Sequence, residues 1–213
     1  MDPVEELRTI EDIRQLKDRY LRCVDTKLWD EIGDTFTEDA TVDYGTKAYG
    51  KPLKMSGRDE IVAFFRIQLG PGILTAHAAG QPEITVDGDT ATGIWSFRDT
   101  VIATEFRVVI AGAAFYHDRY ERGADGHWRI AHTGYVRTYE TMMSLDDLPS
   151  LKMIAKLDAD EVLTDADAVR RDRRPAAVLR ASAGVTAAMA GPDRRAPGCR
   201  RGPDARLTRR MLG

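Results

Sequence analysis

Five polar residues in separate segments have the types needed to move protons and to stabilise an oxyanion: Tyr20, Asp25, His77, Asp99 and Arg137. A histidine can act as general base or acid, and either aspartate could orient its imidazole. A tyrosine can donate a hydrogen bond to a developing oxyanion, and an arginine can bind or balance negative charge. We therefore expect these side chains to meet in one polar site inside an apolar pocket.

Each residue also has a structural alternative. Tyr20 could be a core tyrosine with a satisfied hydroxyl group, Asp25 could simply stabilise a turn, and His77 could be structural or exposed. Asp99 could pair at the surface with Arg98 or Arg107, and Arg137 could belong to a surface ion pair. Sequence spacing leaves these alternatives open.

Helical periodicity dominates the first 70 residues. Thr9 and Asp12 resemble a capping box, and apolar residues then recur at helical spacing, which predicts a helix over 10–24 that ends beside Asp25. A short second helix is predicted around 29–36 and a third, capped at Ser56, around 61–69. A short strand, 40–44, is predicted between them.

Beyond residue 70 the period changes to two, which is typical of strands. The predicted strands are 73–87, broken at Pro82, followed by 90–104, 106–121 and 127–140. Asp99 alternates in phase with Trp95 and Phe97, so we expect it on a buried face. Helices followed by antiparallel strands predict an α+β fold, a cone in which a curved antiparallel sheet lines a pocket that three N-terminal helices close.

Charge divides the chain into regions. Residues 170–213 carry 12 arginines and three aspartates, a net charge of +9; since the whole chain carries −3, residues 1–169 carry −12. We predict an α+β barrel domain at 1–145, a helical extension at 146–169 and a disordered basic tail at 170–213. An acidic body is a poor partner for nucleic acid.

Several classes of site lack their sequence signature. Phosphate loops, dinucleotide glycine motifs and serine nucleophile elbows are absent, and His117, His127 and His132 do not have metal-ligand spacing. We expect no cofactor and no metal. Apolar runs are too short for a membrane span. Cys23 and Cys199 lie in regions of different character, so we expect no disulfide between them and a reducing cytoplasm as the location.

The ordered set of motifs resembles a known family. Residues 16–25, 29–31 and 36–40 resemble the opening of SnoaL-like domains of the nuclear transport factor 2-like (NTF2-like) superfamily. The segments at 77–84, 91–99, 114–121 and 134–137 are similar to the bile-acid 7α-dehydratase branch, and the resemblance covers residues 8–142.

The resemblance implies a cone-shaped α+β barrel with a catalytic tyrosine, aspartate, histidine, second aspartate and arginine. These fall on the five residues introduced above: Tyr20, Asp25, His77, Asp99 and Arg137. The chain departs from that branch at Gly80, where the branch has a second histidine, and in a shorter stretch between Asp99 and Phe115.

The implied function is that of a cofactor-independent dehydratase acting on a hydroxylated steroid-like or polycyclic enone, with a coenzyme A thioester as one form of the substrate. The alternatives are steroid isomerase-like proton transfer and a non-catalytic binding cone. The last would be favoured if Tyr20, His77 and Asp99 lay on different faces. We also expect a homo-oligomer, a trimer or dimer, through exposed apolar strand residues at 106 and 108–110.

Overall fold

The computed structural model describes residues 2–50 and 53–156, which form an α+β fold of three helices and one six-stranded sheet. The elements in chain order are α1 (Pro3–Thr26), α2 (Trp29–Gly33), β1 (Phe36–Tyr44), β2 (Leu53–Ser56), α3 (Arg58–Gln68), β3 (Ile73–Asp87), β4 (Thr90–Ala103), β5 (Val108–Arg122) and β6 (Trp128–Ser144). The predicted fold class is confirmed. The predictions for 157–169 and for the basic tail lie outside the described residues.

Helix α1 begins earlier than predicted, and the predicted cap at Thr9 is wrong. Asp2 precedes the helix, Pro3 stands at its first position, and Glu5 and Glu6 lie in its first turn. Proline has a fixed φ that suits the first turn, and carboxylates there interact favourably with the helix dipole. Thr9 is buried within the helix.

The beginning of α3 also differs from the prediction. The residue before the helix is Gly57, with a φ of 98° and no side-chain cap, rather than Ser56. Glycine is favoured there because this φ strains a residue with a side chain. Ser56 instead ends β2, a strand that was not predicted.

The sheet has the order β2-β1-β6-β5-β4-β3 and contains one parallel pair. β1 and β6 run parallel, with Tyr44 opposite Tyr135, and the other neighbouring strands are antiparallel. The prediction of an antiparallel sheet is therefore wrong at this one pair. The sheet is curved but is not closed into a barrel, because β2 and β3 are its unpaired edges.

Strand β3 continues through Pro82 instead of breaking there. The pairing with β4 shifts register between Gly80 and Glu83, and Gln81 has a φ of 49°. Proline cannot donate to a strand ladder, so it is tolerated at a bulge on an edge strand.

The predicted alternation in β4 is confirmed. Ala91, Trp95, Phe97 and Asp99 are all buried, so this face of the sheet points toward the helices. After β6 the chain makes one 3-10 turn, Leu145–Asp147, and residues 151–156 have no regular structure. Of the helical extension predicted for 146–169, the described residues include this one turn, and the extension stays a prediction.

Within the described part of the chain, no helix is long and apolar enough to cross a membrane. The cytoplasmic location stays a prediction.

Candidate active site

A cavity of about 570 Å³ lies between the concave face of the sheet and the helices. Four of the five predicted site residues line it: Tyr20, His77, Asp99 and Arg137. Its remaining walls are mostly apolar. Tyr20, His77 and Asp99 thus border one cavity. A non-catalytic binding cone would have been favoured if they lay on different faces, and they do not.

The strand residues predicted to form an oligomer surface belong largely to the same cavity. Phe106, Val108 and Ile110 line it; Val109 is buried, Val108 and Ile110 are half-buried, and Phe106 is 72% exposed. The exposed surface proposed for residues 106 and 108–110 is therefore wrong except at Phe106. The homo-oligomer itself stays a prediction.

One row across the sheet positions much of the polar site. His77 of β3 pairs with Asp99 of β4, Asp99 pairs with Gly112 of β5, and Gly112 pairs with Glu140 of β6. Side chains at the same level on one face of neighbouring strands are close enough to interact. The row therefore brings together residues that are far apart in the sequence.

Asp25, near the C-terminal end of α1, holds His77 by two contacts. Its Oδ1 atom lies 2.6 Å from Nδ1 of His77, and its Oδ2 atom accepts a hydrogen bond of 2.8 Å from the His77 backbone N–H. Because the contact to Asp25 assigns the Nδ1 proton, Nε2 is the nitrogen available to a ligand. Sequence reasoning left open which aspartate would orient the imidazole; geometry pairs His77 with Asp25.

Tyr20 contacts a second tyrosine that was not among the predicted residues. Its hydroxyl lies 2.9 Å from that of Tyr44, and either can donate. Both are buried, and burial raises the pKa of each phenol well above its usual value. Both hydroxyls therefore stay protonated near neutral pH and can act as hydrogen-bond donors.

Asp99 and Arg137 form a two-pronged ion pair rather than the surface pairs considered above. Arg137 Nη1 donates to Asp99 Oδ1 at 2.6 Å, and Nη2 donates to Asp99 Oδ2 at 2.7 Å. The side chains are only 10% and 4% exposed. Arg107 instead pairs with Asp146 at the surface.

Glu140 is a second carboxylate on Arg137 that sequence reasoning missed. Its Oε1 atom lies 3.3 Å from Arg137 Nη2. The guanidinium crosses β5 at Gly112, where a Cβ atom would lie 2.8 Å from Nη1. A side chain at position 112 would therefore displace Arg137.

Phe97 is a buried core residue whose ring packs against both polar groups. Its ring stacks on His77 with centroids 5.7 Å apart, and Arg137 Cζ lies 5.5 Å from its centre. The ring limits the side-chain orientations available to the base and to the ion pair.

A second ion pair lies in the core beneath the tyrosines. Lys17 Nζ is 2.8 Å from Asp118 Oδ2, and both side chains have no exposed surface. The ammonium also lies 3.4 Å from the centre of the Tyr116 ring, which lines the cavity. Tyr120 donates to Asp118 at 2.7 Å, and the Trp95 indole N–H donates to Tyr120 at 2.9 Å.

No cluster of metal-ligating side chains occurs in residues 2–50 and 53–156.

Comparisons with known proteins match this fold and its sequence. A family model described as a SnoaL-like domain matches residues 5–134. The protein named "Uncharacterized protein Rv2910c" from Mycobacterium tuberculosis (strain H37Rv) is 31% identical over 134 residues, covering 62% of this chain and 87% of the relative.

Two solved structures, one named as a dehydrochlorinase and one as a dehydratase, have a similar fold. Hexachlorocyclohexane dehydrochlorinase LinA-type3 from Novosphingobium barchaimii LL02 has a TM-score of 0.57 at 20% identity, covering 66% of this chain and 93% of the other. A provisionally named scytalone dehydratase from Novosphingobium aromaticivorans has a TM-score of 0.57 at 20% identity, covering 64% and 88%. At these identities the similarity shows the fold alone.

Proposed function

Because this chain belongs to the SnoaL-like domain family, within the NTF2-like superfamily, we propose that it is a dehydratase, a carbon–oxygen lyase that removes water from an apolar hydroxylated ketone. The observation that supports this most strongly is that His77, held by Asp25, borders the same cavity as the Tyr20–Tyr44 pair. The dehydratase and dehydrochlorinase names of the structural neighbours agree with elimination chemistry.

His77 is the proposed base. With Nδ1 held by Asp25, its Nε2 lone pair takes a proton from the carbon next to the ketone or its conjugated extension. The electron pair of the broken C–H bond moves into the conjugated carbonyl and forms a dienolate. The dienolate then re-forms the carbonyl, and its electrons make the new C=C bond as the C–O bond breaks. The departing hydroxyl takes the proton from His77 and leaves as water, which returns His77 to its neutral form.

The Tyr20–Tyr44 pair is the proposed donor to the oxyanion. One hydroxyl donates to the other, and the second hydroxyl keeps its own proton for the ligand. Both hydroxyls are buried beside the cavity, and burial, which raises the pKa of each, keeps them protonated. A hydrogen bond to a developing oxyanion in a water-poor site contributes about 10²–10³-fold to the rate.

The size and walls of the cavity support a fused-ring substrate. A volume of about 570 Å³ lies within the range that encloses a drug-sized ligand, and the walls are largely apolar. We propose a hydroxylated steroid-like or other polycyclic enone, which agrees with the resemblance to the bile-acid 7α-dehydratase branch.

Isomerisation without loss of water is the alternative. One known form of steroid isomerase uses a protonated carboxyl group to donate to the oxyanion. Asp99 does not favour that form, because both of its oxygens accept hydrogen bonds from Arg137. Moving a proton with His77 alone would leave the product mass unchanged, so product mass separates the two reactions.

The first test is mass detection of products from a panel of hydroxylated fused-ring enones. We expect loss of one water with the wild type, and turnover lowered by about 10²–10⁴-fold in His77→Ala. His117→Ala is the matched control, because His117 lies exposed on the opposite face of the same sheet. Equal turnover in wild type and His77→Ala would contradict the mechanism, and a product of unchanged mass would replace dehydration by isomerisation.

A further inference from the structure

We infer that Glu140 makes the cavity selective for ligands that carry no negative charge at its polar end. The inference deepens the proposed function and rests on it in one respect, that the cavity is where the ligand binds. Arg137 lines the cavity, and its guanidinium would attract an anionic group if protein carboxylates did not balance its charge.

Both terminal nitrogens of Arg137 already contact protein carboxylates, and Nε, which has no hydrogen-bond partner among the described residues, is buried away from a ligand. A guanidinium binds a carboxylate best through two parallel N–H groups on one edge. Asp99 takes the Nη1 and Nη2 edge, and Glu140 lies 3.3 Å from Nη2. A ligand carboxylate would have to displace one of these protein carboxylates.

Glu140 is held firmly in this position. Its Oε1 atom accepts a hydrogen bond of 2.7 Å from Thr46 Oγ1, and its Oε2 atom accepts one of 2.7 Å from the Lys47 backbone N–H. Two donors from the segment after β1 therefore fix the carboxylate beside Arg137. Only 13% of the side chain is exposed, so solvent screens its charge weakly.

The charges at this end of the cavity disfavour an anion. Three carboxylates, Asp25, Asp99 and Glu140, lie near this end of the cavity with two cations, Arg137 and Lys27. The ion pair beneath the tyrosines is neutral overall, so the carboxylates outnumber the cations by one. A neutral carbonyl can accept from the tyrosine hydroxyls without meeting this repulsion, whereas a carboxylate of the same shape cannot.

The test compares two probes of nearly identical shape, 2-naphthamide and 2-naphthoate, by calorimetric titration at pH 7. The wild type should bind the amide more tightly. In Glu140→Gln, the preference for the amide over the carboxylate should fall by about tenfold, because one buried negative charge near the probe is removed. Affinity for the amide should change little.

The matched control is Glu121→Gln, which removes a charge from the exposed face of β5 and should keep the wild-type preference. An equal loss of preference in Glu121→Gln would overturn the inference, as would an unchanged preference in Glu140→Gln or failure of the wild type to bind the amide.

The binding result is independent of turnover. A wild type that prefers the amide but dehydrates no enone would contradict the proposed function and leave the role of Glu140 standing. A wild type that dehydrates enones but binds the two probes equally would contradict the role of Glu140 and leave the proposed function standing.

Discussion

Two buried ion pairs among the described residues lie in different surroundings. Lys17–Asp118 is enclosed by protein on all sides, with neither side chain exposed, whereas Asp99–Arg137 forms part of a cavity wall. The enclosed pair is bound to its neighbours through Tyr120 and Trp95, and the cavity pair shares its guanidinium with Glu140. We therefore expect the first pair to act mainly on stability, and we propose that the second acts mainly on which ligands the cavity binds.

The largest effect should come from breaking the enclosed pair. Lys17→Met leaves Asp118 charged in the core, where its Oδ1 atom already lacks a hydrogen-bond partner among the described residues. We expect the free energy of unfolding to fall by about 3–5 kcal/mol in urea denaturation. Lys54→Met, which breaks an exposed pair with Asp43, should cost at most about 1 kcal/mol.

A double variant checks the cause of that loss. Lys17→Met combined with Asp118→Leu removes both charges and should recover part of the stability. If the single variant were as stable as the Lys54 control, the enclosed pair would not differ energetically from a surface pair.

Breaking the cavity pair should have a smaller effect. Arg137→Met leaves Asp99 without its partner, but water in the cavity can hydrate the carboxylate. We expect a loss of about 1–3 kcal/mol in the same denaturation assay. Arg107→Met, which breaks the exposed pair with Asp146, is the control and should lose less. A loss in Arg137→Met equal to that in Lys17→Met would remove the distinction between the two environments.

The smallest effect should come from Lys27, a partly exposed cation beside the polar end of the cavity. Burial lowers its pKa from 10.5 to about 8, while Asp25 opposes the shift. A lysine with a depressed folded pKa contributes stability that is present above pH 10.5 and is lost as the pH falls through 8. The stability of wild type relative to Lys27→Met should therefore increase between pH 8 and pH 10.

Urea denaturation at pH 8, 9 and 10 measures this trend. Lys54→Met, at an exposed lysine, should show no comparable change relative to wild type. A difference between wild type and Lys27→Met that stayed constant with pH would contradict the assignment.

Local periodicity in the sequence was sufficient to predict much of this framework. Alternation in β4 placed Asp99 on the buried face, because alternate side chains of a strand point to opposite faces regardless of distant partners. Helical spacing likewise placed Tyr20 on the buried side of α1. These signals are contained in a few neighbouring residues.

The rest depends on contacts between distant segments. Tyr44 alternates with Ala40 and Val42 in β1, which suggests burial, but its contact with Tyr20 needs the parallel pairing of β1 with β6. Parallel neighbours are separated by long connections, so the sequence does not specify them locally.

Glu140 was missed for a different reason. A register shift follows Arg137, so that Ala114 pairs with Arg137 while Ala113 pairs with Tyr139. The extra residue restores Glu140 to the face that carries Arg137, although strict alternation would place the two on opposite faces. The catalytic roles of the five predicted residues stay predictions.

The edges of the sheet have a consequence for aggregation. One edge, β2, has four residues, and the other, β3, is interrupted by the bulge around Gln81 and Pro82. Amyloid-like growth extends a sheet by adding strands to a long, regular edge, and neither edge provides one. The concave sheet can therefore stay open at high protein concentration without adding strands from other copies of the chain at its edges.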